Sequence, residues 1–96
     1  MTTSYDKITT QTAGSIKPTG SIYFVRDTEL RGFAIKVTAK GQASFVVDLR
    51  IKNGGTIRYT IGGVDHILVK EARIKAHEMI ALAKRGIDPR YQQPHK

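Results

Sequence analysis

A chain of 96 residues is long enough for one domain with a thin core and too short for a large catalytic cleft beside that core. It contains no cysteine, which excludes disulfides and cysteine-ligated metals, and no apolar run reaches the roughly 20 residues that cross a bilayer. Sixteen Lys and Arg against eight Asp and Glu give a net charge of +8. This excess indicates a polyanionic partner, which would be DNA, RNA or an anionic membrane surface.

The first 21 residues are rich in Thr, Ser and Gly and contain few large apolar side chains. This composition is typical of a flexible N-terminal arm, within which Ile8 and Ile16 would pin a short turn onto the body. The apolar run IYFV at residues 22–25 is short and predicts a small additional edge strand.

Residues 32–62 predict three strands, at about 33–38, 43–52 and 56–61, joined by two tight turns. Gly41 is expected to have a positive φ in the first turn, and Asn53-Gly54 is typical of a type I′ turn in the second. Odd-numbered positions in the strands are apolar, whereas even-numbered positions are mostly basic or hydroxylated. Because side chains alternate along a strand, we expect one apolar face and one basic face, named here the even face. Its polar members are Lys36, Thr38, Ser44, Asp48, Arg50, Lys52, Thr56, Arg58 and Thr60.

A single helix is predicted from residue 68 or 69 to about residue 85, because apolar side chains recur there with helical period. The members of this stripe are Val69, Ala72, Ala76, Met79, Ile80 and Ala83. Gly86 and Pro89 follow at the positions that commonly end a helix. The expected fold is therefore α+β, with a three-stranded antiparallel sheet packed on one C-terminal helix. Residues 22–88 would form the domain, and residues 89–96 a linker or tail.

No pattern in the sequence predicts catalysis. The three histidines, His66, His77 and His95, lack metal-ligand spacing, and the carboxylates are scattered rather than paired. The glycine pairs lack the Lys-Ser/Thr of a phosphate-binding loop, and no nucleophile-elbow sequence is present. We therefore expect a non-catalytic chain with no metal and no cofactor.

The even face is the candidate binding surface. Arg and Lys pair with phosphates or guanine edges, Thr bonds to either, and a small sheet fits the major groove of DNA. The candidate DNA-binding residues are Lys36, Thr38, Lys40 in the first turn, Arg50, Lys52, Arg58 and Thr60. The alternative interpretation is a solvated face with cross-strand charge pairs, for instance Asp48 with Arg58. Most aromatic side chains of the strands belong to the predicted core, which argues against a single-strand binder.

Several motifs occur in a fixed order along the chain. RDTELRGFAIKVTAKGQASFVVDLR at residues 26–50 is preceded by ITTQTAGSIKP and followed by RYTIG at 58–62, EAR at 71–73 and GIDP at 86–89. In this order and spacing they resemble the N-terminal arm-type DNA-binding domain of phage, prophage and genomic-island integrases, which are tyrosine recombinases. The resemblance covers nearly the whole chain.

The resemblance implies that the sheet enters the major groove of double-stranded DNA at arm-type sites, with the helix packed behind it. It also implies that the catalytic residues of the parent recombinase belong to a later domain, so Tyr91 is not its nucleophile. We expect a cytoplasmic, nucleoid-associated chain in a bacterial host, monomeric in isolation and meeting other integrase protomers through other domains. Two alternatives stay open, a double-stranded RNA-binding module and a protein–protein module that docks an acidic partner.

Overall fold

The structure, a computed structural model, describes residues 2–52 and 54–88. Its elements are β1 (Thr2–Asp6), α1 (Thr10–Gly14), β2 (Tyr23–Asp27), β3 (Phe33–Val37), β4 (Ala43–Arg50), β5 (Thr56–Gly63) and α2 (Val69–Lys84). The strands form one sheet in the order β1-β2-β3-β4-β5. β1 is parallel to β2, and every other neighbouring pair is antiparallel. Asn53 of the predicted hairpin turn and the predicted tail at 89–96 lie outside the described residues.

We expected a three-stranded antiparallel sheet, but the protein has a five-stranded mixed sheet. The predicted edge strand at 22–25 is part of β2, but β2 is not an edge because β1 pairs with its outer side. β1 itself comes from the segment predicted as a flexible arm. Its residues 3–6 are exposed, so the strand is held through its backbone pairing and leaves no apolar alternation in the sequence.

Ile8 attaches the N-terminal segment to the rest of the protein. Its side chain is 1% exposed and belongs to the main core. Its backbone N–H donates to Asp27 Oδ1 at 2.8 Å. Ile16 is half-buried against the same core, and Thr9 caps the short helix α1 by accepting from the Thr12 N–H at 3.2 Å. The prediction that Ile8 and Ile16 pin this segment onto the body is confirmed.

The odd-numbered side chains of β3 and β4 form the core, as their alternation predicts. Phe33, Ile35, Val37, Phe45 and Val47 are each 0% exposed. The rings of Phe33 and Phe45 stack with their centroids 5.8 Å apart. Burial of several such side chains stabilises the fold by about 1.5–3 kcal/mol for each one.

A bulge in β5 reverses the alternation near its end. Val46 pairs with Thr60 and Phe45 pairs with Gly62, so Ile61 has no partner of its own in β4. As a result Gly62 lies on the core side of the sheet. A β-carbon at this position would collide with the end of the Ile67 side chain, so a larger residue here would have to displace Ile67.

Helix α2 covers β4 and β5 with the predicted stripe. Ala72, Ala76 and Ala83 are buried, and their small side chains let the helix lie close to the sheet. Gly86 has a φ of +83° and its N–H donates to the Ala83 carbonyl, so the predicted C-terminal glycine is confirmed. At the other end Leu68 offers no side-chain acceptor to the first turn.

The turn between β3 and β4 has the predicted conformation. Gly41 has a φ of +96°, and its N–H donates to the Thr38 carbonyl at 2.9 Å. In the second turn the Gly54 N–H donates to the Ile51 carbonyl at 2.9 Å, and the Ile51 N–H donates to the Gly55 carbonyl at 3.0 Å. Both hairpins close near the predicted positions, but the predicted type I′ turn at Asn53-Gly54 is wrong, because Gly54 lacks the positive φ that this turn requires. The hydrogen bond from Ile51 to Gly55 closes the hairpin over residues 52–54 rather than over a two-residue loop.

Candidate nucleic-acid interface

The even face is the open side of the sheet, because α2 packs on the opposite side. Arg58 and Thr60 are exposed on β5, and Arg50 is exposed at the end of β4. Lys36 on β3 is half-buried and pairs in register with Ser44. These four predicted residues share the same face of three neighbouring strands.

The other three predicted residues lie at the two ends of this surface. Thr38 and Lys40 belong to the turn between β3 and β4, where the Thr38 hydroxyl accepts from the Gln42 N–H at 3.1 Å. Lys52 follows β4 at the opposite end, where its N–H donates to the Ala83 carbonyl at the end of α2 at 3.0 Å. Lys52 therefore lies beside the helix terminus, beyond the point where strand alternation applies.

The predicted cations do not form one compact cluster. β4 contains 8 residues, and at about 3.4 Å per residue its two ends are separated by roughly 24 Å. Between these ends, Phe24, Ala34 and Val46 form a small apolar cluster that is buried beneath this face. The surface is therefore a long stripe whose cations lie mainly toward its ends.

A charged cluster lies over part of this apolar cluster. Arg58 Nε donates to Asp48 Oδ1 at 2.7 Å, and Arg26 Nη1 donates to Asp48 Oδ2 at 3.0 Å. The guanidinium carbon of Arg58 is 4.5 Å from the Phe24 ring centroid, and that of Arg26 is 5.7 Å from it. Both distances are within the range of cation–π attraction. The predicted cross-strand pair of Asp48 with Arg58 is present, with Arg26 as a third member.

Sequence analysis missed Arg26 and Phe24 as members of the even face. Arg26 pairs in register with Ala34, and Phe24 pairs with Lys36, so both lie on the even face. The available signal was the alternation of YFVRD, in which the even positions continue the parity of β3. It was overlooked because the predicted edge strand ended at Val25, before Arg26.

Asp48 is held in place by its backbone as well as by its side chain. Its N–H donates to the Gly32 carbonyl at 2.8 Å. Gly32 has a φ of +97°, and a β-carbon there would lie 2.8 Å from the Asp48 carbonyl oxygen, so only glycine fits without strain. Burial alone would raise the pKa of the Asp48 carboxyl, but the hydrogen bonds and charges of Arg58 and Arg26 outweigh it and lower this pKa.

A groove of about 1070 Å³ opens at the end of the sheet, next to this charged cluster. Its charged lining residues are Arg26, Arg31, Asp48, Arg50, Lys52 and Lys84. Arg31 and Lys84 were not among the predicted site residues. The lining is predominantly cationic, so the groove favours anions such as phosphates over cations.

A second aspartate–arginine pair lies in the protein interior, where α2 meets β2. Arg73 donates to both oxygens of Asp27, from Nη1 at 2.7 Å and from Nη2 at 3.1 Å, and also donates to the Ile8 carbonyl at 2.7 Å. The same carboxylate accepts from the N–H groups of Ile8 and Leu30. Burial would raise the pKa of Asp27, but Arg73 and the two backbone donors lower it overall. The EAR motif and the Asp of the DTEL motif therefore meet as a structural pair.

The described residues provide neither a membrane span nor a metal site. In residues 2–52 and 54–88, neither helix combines the length and the apolar character needed to cross a bilayer. Over the same two stretches of chain, no group of three His, Asp or Glu side chains is arranged to hold a metal ion.

The family described as the Arm DNA-binding domain matches residues 6–96, which is nearly the whole chain. No curated protein matches the chain. The family match supports DNA binding, and a DNA-binding arm domain is not catalytic in itself. With its sheet, covering helix and basic open face, the chain belongs to the Arm DNA-binding domain family, as its motifs predicted.

Proposed function

We propose that the chain is the N-terminal module of a phage-type integrase, a tyrosine recombinase, and that it binds double-stranded arm-type sites through the even face. The observation that carries this proposal is the division of the sheet into two faces. One face is covered by α2, and the other presents Arg, Lys and Thr side chains in a member of a DNA-binding family. Recombination itself would belong to other domains of the parent protein.

The stripe is long enough to span the major groove and reach the backbones on both sides. Its ends are roughly 24 Å apart, about twice the ~12 Å width of the groove. With β4 lying across the groove, Thr60 and Arg58, which pair with Val46 and Asp48, would meet base edges. Lys36, which pairs with Ser44, would lie closer to one end of the stripe. Lys40 and Lys52 would reach the two flanking backbones. Arg50, at the mouth of the cationic groove, would contact phosphate or the edge of a base.

Salt dependence tests the electrostatic part of this proposal. Neutralisation of about five phosphates predicts that log K falls with log[salt] at a slope near −4 to −5. The measurement is fluorescence anisotropy of a labelled 20-base-pair duplex titrated with the full chain between about 50 and 200 mM salt. A slope near zero would contradict binding through the basic stripe.

Alanine substitutions locate the binding face. Arg50→Ala should weaken binding of a preferred duplex by about 1–3 kcal/mol if Arg50 reads a base, or reduce the salt slope by about 1 if it holds a phosphate. Arg58→Ala should weaken binding similarly. Lys75→Ala removes an equal charge from an exposed position of α2 and serves as the matched control. If Arg50→Ala and Arg58→Ala bind as the unsubstituted chain does, the sheet is not the reading surface.

Competition separates DNA from the other polyanions. Unlabelled duplex DNA should displace the labelled duplex at far lower concentration than duplex RNA of equal length, because the deep, narrow major groove of RNA does not admit a sheet. Preferential displacement by duplex RNA would identify an RNA-binding module instead. Displacement by acidic polypeptide alone would favour a protein–protein module.

A further inference from the structure

Asp48 is an unusual residue to find on a DNA-binding face. A carboxylate repels phosphates, so its presence among cations lowers general affinity for DNA. Its side chain is 24% exposed and accepts hydrogen bonds from Arg26 on β2 and Arg58 on β5. The arrangement therefore favours a role for Asp48 in holding these two arginines, rather than in attracting DNA.

The strand register explains how one carboxylate reaches both arginines. Arg58 is the direct cross-strand partner of Asp48. Arg26 must reach over β3, and its cross-strand neighbour there is Ala34, whose methyl group leaves space for the long side chain. Phe24 forms the floor beneath both guanidinium groups. Each guanidinium is thus restrained by a hydrogen bond and by contact with an aromatic ring.

The N–H groups of Arg58 that do not bind Asp48 indicate what this side chain can recognise. Arg58 uses Nε and one Nη2 hydrogen for Asp48, at 2.7 and 3.4 Å. Within residues 2–52 and 54–88, the Nη1 hydrogens and the second Nη2 hydrogen have no hydrogen-bond partner, and together they make the planar fork that pairs with O6 and N7 of guanine. A fork held in advance loses less conformational freedom when it binds, which favours selectivity.

We infer that Asp48 is a positioning residue that fixes Arg58, with Arg26 beside it, to read a guanine in the major groove. This inference rests on the proposed function, since it names what part of the even face recognises. It also explains why a carboxylate lies on this face. Asp48 lowers the general affinity of the face for phosphate, but it raises the preference for one base pair.

Selection from a random duplex library provides the probe. The full chain is used to enrich 20-base-pair duplexes, and affinity is then compared between an enriched duplex and a scrambled duplex of the same composition. The variants are Asp48→Asn and Glu78→Gln. Both variants remove one negative charge. Glu78, however, is exposed on α2, which packs on the side of the sheet opposite the even face. Differences between the two variants therefore report on position rather than on net charge.

Asp48→Asn should reduce the preference for the enriched duplex roughly 10-fold, which corresponds to one bidentate base contact. Its affinity for the scrambled duplex should stay equal or rise. Glu78→Gln should keep the preference within about twofold. Replacing the guanines of the enriched duplex one at a time by 7-deazaguanine, which lacks the N7 acceptor, should reproduce the loss at one position for the unsubstituted chain and not for Asp48→Asn.

Three further measurements distinguish positioning from a general effect on folding. The Arg58 Nε–H resonance should be protected from exchange in the free protein and lose this protection in Asp48→Asn, while the amide spectrum stays folded. Arg58→Lys keeps the charge but loses the planar fork, so it should lose the preference as Asp48→Asn does. Rescue of both the preference and the protection by Asp48→Glu would support the same conclusion.

The outcomes separate the two proposals. If the unsubstituted chain binds no duplex DNA, the proposed function fails and this inference fails with it. If the chain selects a sequence but Asp48→Asn or Arg58→Lys keeps the preference, only the assignment of Asp48 and Arg58 is overturned.

Discussion

Two aspartates of the sheet are each bound by arginine, yet their surroundings differ. The Asp27 side chain is 0% exposed, and it accepts from Arg73 and from the N–H groups of Ile8 and Leu30. Arg73 donates in addition to the Ile8 carbonyl. The Asp48 side chain is 24% exposed, on the open side of the sheet. In both, the carboxyl pKa is lowered by the neighbouring arginines. An aspartate–arginine pair therefore stabilises the fold at Asp27 and lies on the candidate binding surface at Asp48.

The difference lies in how the hydrogen-bonding capacity of the arginines is used. Arg73 bonds to both oxygens of Asp27 and to the Ile8 carbonyl, so its donors are directed inward. Arg58 bonds to Asp48 but is 41% exposed, with donors remaining for a ligand. A buried pair whose members are all satisfied serves the fold, whereas a half-exposed pair with spare donors can serve recognition.

The largest effect that would test this comparison is on stability. Asp27→Ala should lower the free energy of unfolding by about 3–5 kcal/mol, because it leaves Arg73 and two backbone donors without their acceptor. Asp48→Ala, the matched substitution on the open face, should lower it by no more than about 1 kcal/mol. Urea unfolding followed by circular dichroism measures both. Equal losses at the two positions would mean that Asp48 is as much a part of the core architecture as Asp27.

Acid should affect the interior pair next most strongly. Because the folded-state pKa of Asp27 is lowered below its unfolded value of about 3.9, its stabilising contribution is complete above that value and is lost as the pH falls through the folded-state pKa. Stability measured by urea unfolding should therefore fall as the pH drops below about 4. Asp27→Asn should show a shallower decrease than the unsubstituted chain. An unchanged slope would assign the acid sensitivity to other carboxylates, Asp48 among them.

The smallest effect is a gain in stability that leaves the binding face untouched. Leu68 is the N-cap of α2, is 67% exposed, and has no acceptor for the first turn. Glu71 already accepts from the Leu68 N–H at 3.4 Å, so Leu68→Ser would complete a capping box. We expect a gain of about 0.5–1 kcal/mol in the free energy of unfolding. DNA affinity should be unchanged, and a loss of stability would show that the Leu68 side chain contributes packing.

The sequence was sufficient for the parts of the fold that carry a period. The alternation in β3, β4 and β5 and the stripe of α2 predicted the core, and Gly41 and Gly86 marked a turn and a helix end correctly. β1 was missed because an exposed strand held by backbone pairing has no apolar pattern. Ile8, which follows β1, is buried in the core and bonds to Asp27, 19 positions away, and no local pattern predicts such a contact.

Long-range pairing also explains what was missed in the candidate site. Arg26 and Asp48 are 22 positions apart, and Asp27 and Arg73 are 46 apart. No local period links such residues. The motif resemblance placed Asp27 and Arg73 within family motifs, but only the structure shows that they bond to each other. The bulge at Ile61, which changes the parity at the end of β5, was equally invisible in the sequence.

An NMR titration of the ¹⁵N-labelled chain shows whether one face of the sheet serves the fold while the other binds DNA. The titrant is a duplex taken from the flanks of the attachment region of the genetic element that encodes the chain. The account predicts that shifts concentrate on the even face, at Lys36, Arg50, Arg58 and Thr60, and in the turn at Lys40. Exposed positions of α2 such as Lys75 and Glu78 should be unaffected. Shifts confined to α2, with the even face unchanged, would contradict the account.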